Sequence, residues 1–383
     1  MIILYVDIST GYKYIKEKPE IAQCLSVYFL TNKKFKDDVL YFYHPVAPQV
    51  IVGANQNVHF EVNLDYIHQH GIALTRRGAG GGAVYVDPGN LTYSFNVNDD
   101  GTNYMNFRHF AEPAIEVLHQ IGVDAEMTGR NDLTVNGQKF SGMSTLKIGN
   151  RFTCGGTLML DVDLQSASQA LNPPKSKLKS KGIKSVKSRV TNLRPYLKGK
   201  FAKLTSDDLQ TMILQKVFHT ENLKDIPTYI MSEDDWDNVK QIAQEKFGTP
   251  DWVMGTTQEF GNYHTRHFDG IGTVGVNYSV ENGIITQAKI YGDFNNAGGD
   301  LHHIETQMIG TPFKRDNLIE AFRTGDVQSN IGNVSPADLA DMLIDDQYKE
   351  ETPKWVVKFL DQFLIKMAIQ LPECGQFGLM KID

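Results

Sequence analysis

Apolar and polar positions change period several times along the chain, and each change predicts an element. Ile21 to Leu30 reads as a helix, Leu40 to Tyr43 as a strand, and Val50-Ile51-Val52 as a second strand that stops at the small polar run Gly53-Ala54-Asn55-Gln56-Asn57. Asn63 to His70 predicts a short helix with Gly71 as its C′ residue. From Tyr104 to Ile121 the period is 3.6: Phe107, Phe110, Ala111, Ala114, Ile115, Leu118 and Ile121 share one face, and Gly122 ends it. Leu133-Thr134-Val135 and Gln138-Lys139-Phe140 flank Asn136-Gly137, the strongest short hairpin signal, and Phe152 to Leu160 reads as a further strand. Residues 207–247 read as helical, and Phe247-Gly248-Thr249-Pro250 as a linker. Beyond it, two alternating runs around Glu281-Asn282-Gly283 predict a hairpin, followed by helices near residues 301–308, 316–324, 336–345 and 355–371. Two domains are expected, residues 1–247 and 248–383, the second a small α+β unit.

One stretch departs from this regular patterning. Thr75 to Phe95 reads T-R-R-G-A-G-G-G-A-V-Y-V-D-P-G-N-L-T-Y-S-F, with Gly78, Gly80, Gly81 and Gly82 inside five positions. Glycine lets a ligand approach the backbone, and consecutive N–H groups form an anion-binding concavity that a guanidinium can complete. Gly78-x-Gly80-x-x-Ala83 matches the loose dinucleotide fingerprint, but that fingerprint must open a helix. Here a strand follows, Ala83 to Val86, and then the Asp87-Pro88-Gly89-Asn90 turn, so the dinucleotide fold is excluded. A P-loop is excluded as well, for want of Gly-Lys-Ser/Thr. Lys139 sits just past the hairpin turn beside Ser141-Gly142; strict alternation leaves it opposite Phe140, either on a solvated edge or pointing into a site.

Composition narrows the class. At 383 residues, 41% hydrophobic and 22% charged, the chain is an ordinary water-soluble type, with no run long enough to span a membrane and no signal-peptide pattern at Met1 to Ser9. Three distant cysteines, Cys24, Cys154 and Cys374, give no disulfide framework, and a reducing cytoplasm is expected. No His/Cys spacing fits zinc, and His302-His303 stands without partner ligands nearby in sequence. The net charge of −7 hides an uneven spread: Lys175 to Lys203 holds 11 basic and no acidic residues, leaving 27 basic against 45 acidic elsewhere, or −18. Such a stripe favours anionic partners, but its few aromatics, Tyr196 and Phe201, argue for a phosphate or protein contact over nucleic acid.

With these residues in view, the chain resembles the lipoate–protein ligase family of the biotin/lipoate ligase superfold. Arg76 to Asp87 is similar to its R-R-x-x-G-G-G-x-V-x-x-D motif; Gly129-Arg130-Asn131-Asp132-Leu133, Lys139-x-Ser141-Gly142, Gly156-Thr157-Leu158 and Lys181 to Leu193 resemble its later motifs, in order. The resemblance implies an α/β (α+β) fold, a mixed-sheet catalytic domain with a smaller C-terminal accessory domain. It implies ATP with Mg²⁺, activation of lipoate to lipoyl-AMP, and transfer to a lysine of a lipoyl acceptor protein: a 2-oxoacid dehydrogenase lipoyl domain or a glycine-cleavage H-type protein. On that resemblance Lys139 is the catalytic residue, an electrostatic clamp between lipoate carboxylate and α-phosphate. Arg77, Gly82, Ala83, Val84, Tyr85, Lys139, Ser185, Val186 and Arg189 contact the nucleotide. Arg76, Gly80, Gly81, Gly82, Lys139, Ser141 and Gly142 contact lipoate, and Asn131 and Asp132 lie in the phosphate and metal neighbourhood. No metal ligands are assigned, and no nucleic-acid or membrane partner is implied.

Three features depart from the family pattern. Cys154-Gly155 replaces the usual His-His before Gly-Thr, the early helix lacks paired glutamates, and the second domain is long. Two rivals are an ATP-independent octanoyl or lipoyl transferase of the same superfold, which needs a cysteine nucleophile, and a non-catalytic lipoate or nucleotide sensor. The chain has no Cys near Gly129–Leu133, and Cys154 is the thiol closest to the motifs.

Overall fold

A computed structural model describes residues 3–171, 190–255, 260–294 and 299–349. The chain divides into two compact units, Met1–Glu350 and Glu351–Asp383, of which the first is described. The helix expected near residues 355–371, Cys374, and the core of the basic stripe with Ser185, Val186 and Arg189 lie outside the described residues.

The strands run in chain order as β1 (Ile3–Asp7), β2 (Asp38–Tyr43), β3 (Gln49–Val52), β4 (Ala73–Arg76), β5 (Val84–Val86), β6 (Asn90–Asn98), β7 (Ala125–Thr128), β8 (Asp132–Val135), β9 (Gln138–Ile148), β10 (Arg151–Met159), β11 (Thr228–Ile230), β12 (Asn262–Phe268), β13 (Gly272–Glu281) and β14 (Ile284–Gly292). Eight form one mixed sheet, ordered β11-β1-β2-β6-β10-β9-β8-β7; only the β11–β1 and β1–β2 pairs are parallel. A small sheet, β4-β3-β5, carries the glycine loop between two of its strands, as the sequence requires. β12-β13-β14 form a third sheet.

The main sheet is covered on both faces, which explains why β2 is buried at every position. Leu40 and Phe42 join a core beneath the helix Phe107–Gln120, while Val39, Tyr41 and Tyr43 join a second core beneath the helix Ile21–Thr31. β6 shows what alternation means here. Leu91, Tyr93, Phe95 and Val97 enter the first core, yet Ser94 and Asn96 on the opposite, polar face are also buried. A buried polar face signals a site rather than solvent. A third core joins β13 and β14 to the helices Leu301–Met308, Arg315–Thr324 and Pro336–Ile344.

Two expectations need correction. The run 207–247 is interrupted by β11, because Thr228-Tyr229-Ile230 pairs in parallel with β1 and completes the sheet edge. The stretch Phe247 to Pro250 is not a free linker. Phe247 is 2% exposed in the second core, and Trp252 in the next helix donates from Nε1 to the Arg76 carbonyl at 3.0 Å. Apolar bulk at 247 and 252 pins this segment behind the glycine loop.

Asp235 staples the second core. Its carboxylate accepts from Tyr28 Oη at 2.6 Å, Lys34 Nζ at 2.7 Å, Ser232 Oγ at 2.8 Å and the Tyr229 hydroxyl. Burial alone would raise its pKa; Lys34 and the two tyrosines outweigh burial and hold it below the ordinary carboxylate range. A depressed folded pKa contributes stability above the unfolded value of about 3.9, lost as pH falls through the folded one. Asp235→Ala is expected to lower stability by about 1–3 kcal/mol at pH 7, since the buried Tyr28 hydroxyl loses its acceptor. Urea midpoints measured across the acid range should show the wild-type advantage shrinking as the pH drops; an advantage independent of pH would contradict the assignment.

Candidate functional site

A cavity of about 750 Å³ opens over the polar face of the main sheet, roofed by the glycine loop and bordered by the β12–β14 domain. Its floor follows from register. Tyr43, Thr92, Thr157 and Gly142 lie abreast on β2, β6, β10 and β9; Tyr41, Ser94, Gly155 and Ser144 form the next row; Thr153 and Leu146 continue it. Glycine is required at position 155, and at 142 it leaves room for a side chain. A Cβ at Gly155 would fall 2.1 Å from the Tyr93 carbonyl oxygen, and one at Gly142 would fall 2.7 Å from Lys139 Nζ. The centre of the floor is therefore free of side chains, and a ligand can lie against the backbone.

Lys139 reaches this floor through a β-bulge. β8 and β9 pair Thr134 with Lys139 but Leu133 with Ser141, so Phe140 is the extra residue. Phe140 and Ser141 are both fully buried, Phe140 within the first core, while Lys139 and Gly142 both line the cavity. Asn136 and Gly137 take φ of 50° and 73° in the turn that starts the return strand. Lys139 Nζ meets Asp132 Oδ1 at 2.5 Å with both side chains partly exposed, and its carbonyl accepts from Thr191 N at 2.9 Å. Asn131 fixes the same corner by donating from Nδ2 to the Met143 carbonyl at 2.5 Å.

The two arginines divide their roles. Arg77 lines the cavity, and its guanidinium donates to the carbonyls of Gly80 at 2.7 Å, Gly82 at 2.8 Å and Ile51 at 3.2 Å. The loop is thus wrapped around the guanidinium, with its carbonyls turned inward. Gly81 takes φ of 90°, and a Cβ at Gly53 would fall 2.1 Å from the Gly81 oxygen, so the fit excludes other residues. Arg76 is 3% exposed and faces away: it donates to the carbonyls of Gly53 at 2.8 Å, Ala54 at 3.1 Å, Gln56 at 2.8 Å and Val253 at 3.2 Å. It braces the 53–56 loop rather than lining the cavity. Burial lowers both pKa values to about 10, so both remain cationic at neutral pH.

Of the residues expected at the site, Arg77, Gly81, Gly82, Ala83, Val84, Tyr85, Asn131, Asp132, Lys139 and Gly142 line the cavity. Arg76, Gly80 and Ser141 do not: Arg76 is fully engaged with backbone carbonyls, Gly80 presents its carbonyl to Arg77, and Ser141 sits on the core side of the bulge. Leu171 and Val190, the described residues that flank positions 172–189, both line it. Asp87 is a pin, accepting from Gly89 N at 2.8 Å and Asp163 N at 2.9 Å. Sequence reasoning missed the contribution of the β12–β14 domain: His267, Gly270, Ile271, Gly272 and Asp293 line the cavity, and Arg130 donates to the carbonyls of Gly270 and Ile271 at 3.1 Å each. It also missed Tyr41, Ser94 and Thr153, although the alternation of β6 carried their signal. Cys154 is buried in the first core on the opposite face, where burial pushes its thiol pKa up.

The profile described as lipoyl protein ligase A/B catalytic domain matches residues 18–218, and that of the bacterial lipoate protein ligase C-terminus matches residues 257–343. The lipoate-protein ligase of Bacillus subtilis (strain 168) is 35% identical over 85% of this chain and 96% of its own. The chain belongs to the lipoate–protein ligase family. The fold agrees: the P. falciparum protein LipL1, solved in complex with lipoate, superimposes at TM-score 0.64 and 20% identity over 84% of this chain and 93% of its own. A lipoate-protein ligase A solved bound with ATP reaches 0.53 at 21% identity over 66% and 98%. No helix among the described residues of this ligase is long and apolar enough to cross a membrane.

Gly142→Ala tests the geometry. The added methyl meets only the flexible end of Lys139, so the melting transition should hardly move, whereas displacing Nζ should cost ligase activity about 100-fold. Unchanged ligation by a folded variant would show that the position of Nζ is immaterial.

Proposed function

We propose that this ATP-dependent lipoate–protein ligase activates lipoate at the cavity floor and that Lys139 is the residue on which the step turns. The observation that carries this reading is a cation projected by a bulge over a glycine-lined floor, beneath a glycine loop. The lipoate carboxylate attacks the α-phosphate of ATP, forming lipoyl-AMP and releasing pyrophosphate. An ammonium between the two anions offsets their repulsion and stabilises the charge that builds on the phosphate oxygens. Asp132 holds the Lys139 ammonium in place before substrate arrives. The acceptor lysine then attacks the activated carbonyl, AMP leaves, and the amide forms.

Arg77 and the 82–85 backbone receive the nucleotide in this reading, with Gly81, Gly82 and Gly142 against the acyl chain. Arg76 and Gly80 act through loop shape, and Ser141 through packing. Ser185, Val186 and Arg189 are assigned to cover the adenylate, supported by the approach of Leu171 and Val190 to the cavity. Among the described residues no cluster of three or more His, Cys, Asp or Glu forms a metal cage. Mg²⁺ is commonly held by one or two carboxylates plus substrate phosphates, and Asp132 beside Asn131 fits that pattern; a bound Mg²⁺ would neutralise phosphate charge. We assign residues 1–247 to catalysis and 248–383 to the accessory part. The acceptor is a lipoyl domain of a 2-oxoacid dehydrogenase or an H-type protein, and the compartment the cytoplasm. The thiol-dependent transferase reading is disfavoured because Cys154 points into the core.

Lys139→Ala should abolish pyrophosphate release from ATP and lipoate while preserving the melting curve; near-normal release would remove Lys139 from the mechanism. Cys154→Ala should still transfer lipoate when ATP is present and not when it is withheld, read by the mass of a lipoylated acceptor domain. ATP-independent transfer that fails in this variant would instead restore the transferase reading.

A further inference from the structure

The second floor row carries a feature that adenylation chemistry does not use. Ser26 Oγ lies 3.0 Å from Tyr41 Oη, and Ser94, beside Tyr41 in the same row, has its Oγ 2.8 Å from Thr153 Oγ1. All four residues line the cavity, and Tyr41, Ser94 and Thr153 are 5–6% exposed. In each pair two hydroxyl protons serve one link, so at least one proton is left for a further acceptor. Tyr41 and Ser94 lie one row beyond Gly142 on the floor, Thr153 lies one row further, and Ser26 reaches Tyr41 from the helix Ile21–Thr31.

We infer that Ser26, Tyr41, Ser94 and Thr153 form a tail-end subsite that selects an acyl chain ending in a sulfur ring over a plain alkyl chain; the inference rests on the reading of this cavity as the lipoate-activating site. Successive rows on one face of a sheet are about 7 Å apart. With the carboxylate at Lys139, the five bonds to the dithiolane ring span about 6 Å, taking roughly 3.5 Å per three extended bonds. The ring therefore lies over Gly155, where no side chain obstructs it, beside the hydroxyls. Sulfur lone pairs accept the spare proton weakly, and the rings of Tyr41 and Tyr43 offer sulfur–aromatic contact. The methyl end of octanoate has no acceptor, so binding it leaves a buried hydroxyl unsatisfied. The selectivity lies in that difference and not in the size of the pocket.

The test measures pyrophosphate release by the full-length protein with ATP, Mg²⁺ and either lipoate or octanoate, for wild type, Ser26→Ala and Ser94→Ala. Wild type is expected to prefer lipoate in kcat/KM. Each variant is expected to lower the lipoate-to-octanoate ratio about three- to ten-fold, the weight of one neutral hydrogen bond. A ratio unchanged from wild type, whether both acids weaken together or neither does, overturns the subsite and leaves the ligase reading standing. If Ser94→Ala fails to fold, Ser26→Ala on its partly exposed helix face and Thr153→Val decide the same ratio. Wild type releasing no pyrophosphate with either acid overturns the ligase reading itself.

Discussion

One extra residue in β9 determines which way Lys139 projects. Strict alternation along Lys139, Phe140, Ser141 and Gly142 would turn Lys139 toward the face occupied by Ser141, which packs with the buried core. The bulge at Phe140 sends Phe140 and Ser141 to the core together and leaves Lys139 on the same side as Gly142. Gly142 leaves room for the ammonium, since Nζ occupies the space that a Cβ there would take. Asp132, on the partner strand, meets the ammonium at 2.5 Å and neutralises it until another anion competes. Bulge, glycine and carboxylate form one device, and the roof and walls of the cavity are arranged around it.

The glycine loop works differently from an arginine clamp that simply faces its ligand. Arg77 is enclosed by the carbonyls of Gly80, Gly82 and Ile51, so its first task is to fold the loop. Inward carbonyls leave backbone N–H groups available for the cavity side, and the charge of the guanidinium, still present near neutral pH, raises the potential there. Arg76 performs the same service one turn away for the 53–56 loop. That loop meets the β12–β14 domain where Gly292 N donates to the Asn55 carbonyl at 2.8 Å. Of two adjacent arginines, one thus shapes the cavity's glycine loop and the other the neighbouring 53–56 loop.

Much of this was legible in the sequence. Periodicity located the helix Phe107–Gln120, the Asn136-Gly137 turn and the hairpin around Asn282-Gly283, since these signals are local. The glycine run and its strand context pointed to an anion site outside a dinucleotide fold, and motif order pointed to the family. What escaped were effects that depend on partners. A bulge has no signature in its own strand, so Lys139 read as ambiguous. Arg76 and Arg77 look alike until the carbonyls around them are known. The floor hydroxyls of β6 and β10 read as an ordinary polar face, because alternation cannot distinguish water from a ligand cavity. Contacts from residues 267–293 lie more than 100 positions from Lys139, beyond any local pattern.

The central claim is that Lys139 bridges the acyl group and the α-phosphate during activation. A crystal structure with a non-hydrolysable lipoyl-adenylate analogue tests it directly through the position of Nζ. The account predicts Nζ within hydrogen-bond reach of both the acyl carbonyl oxygen and a non-bridging oxygen of the phosphate analogue, with the tail running over Gly155. An ordered analogue in the cavity with Nζ contacting neither oxygen would contradict it.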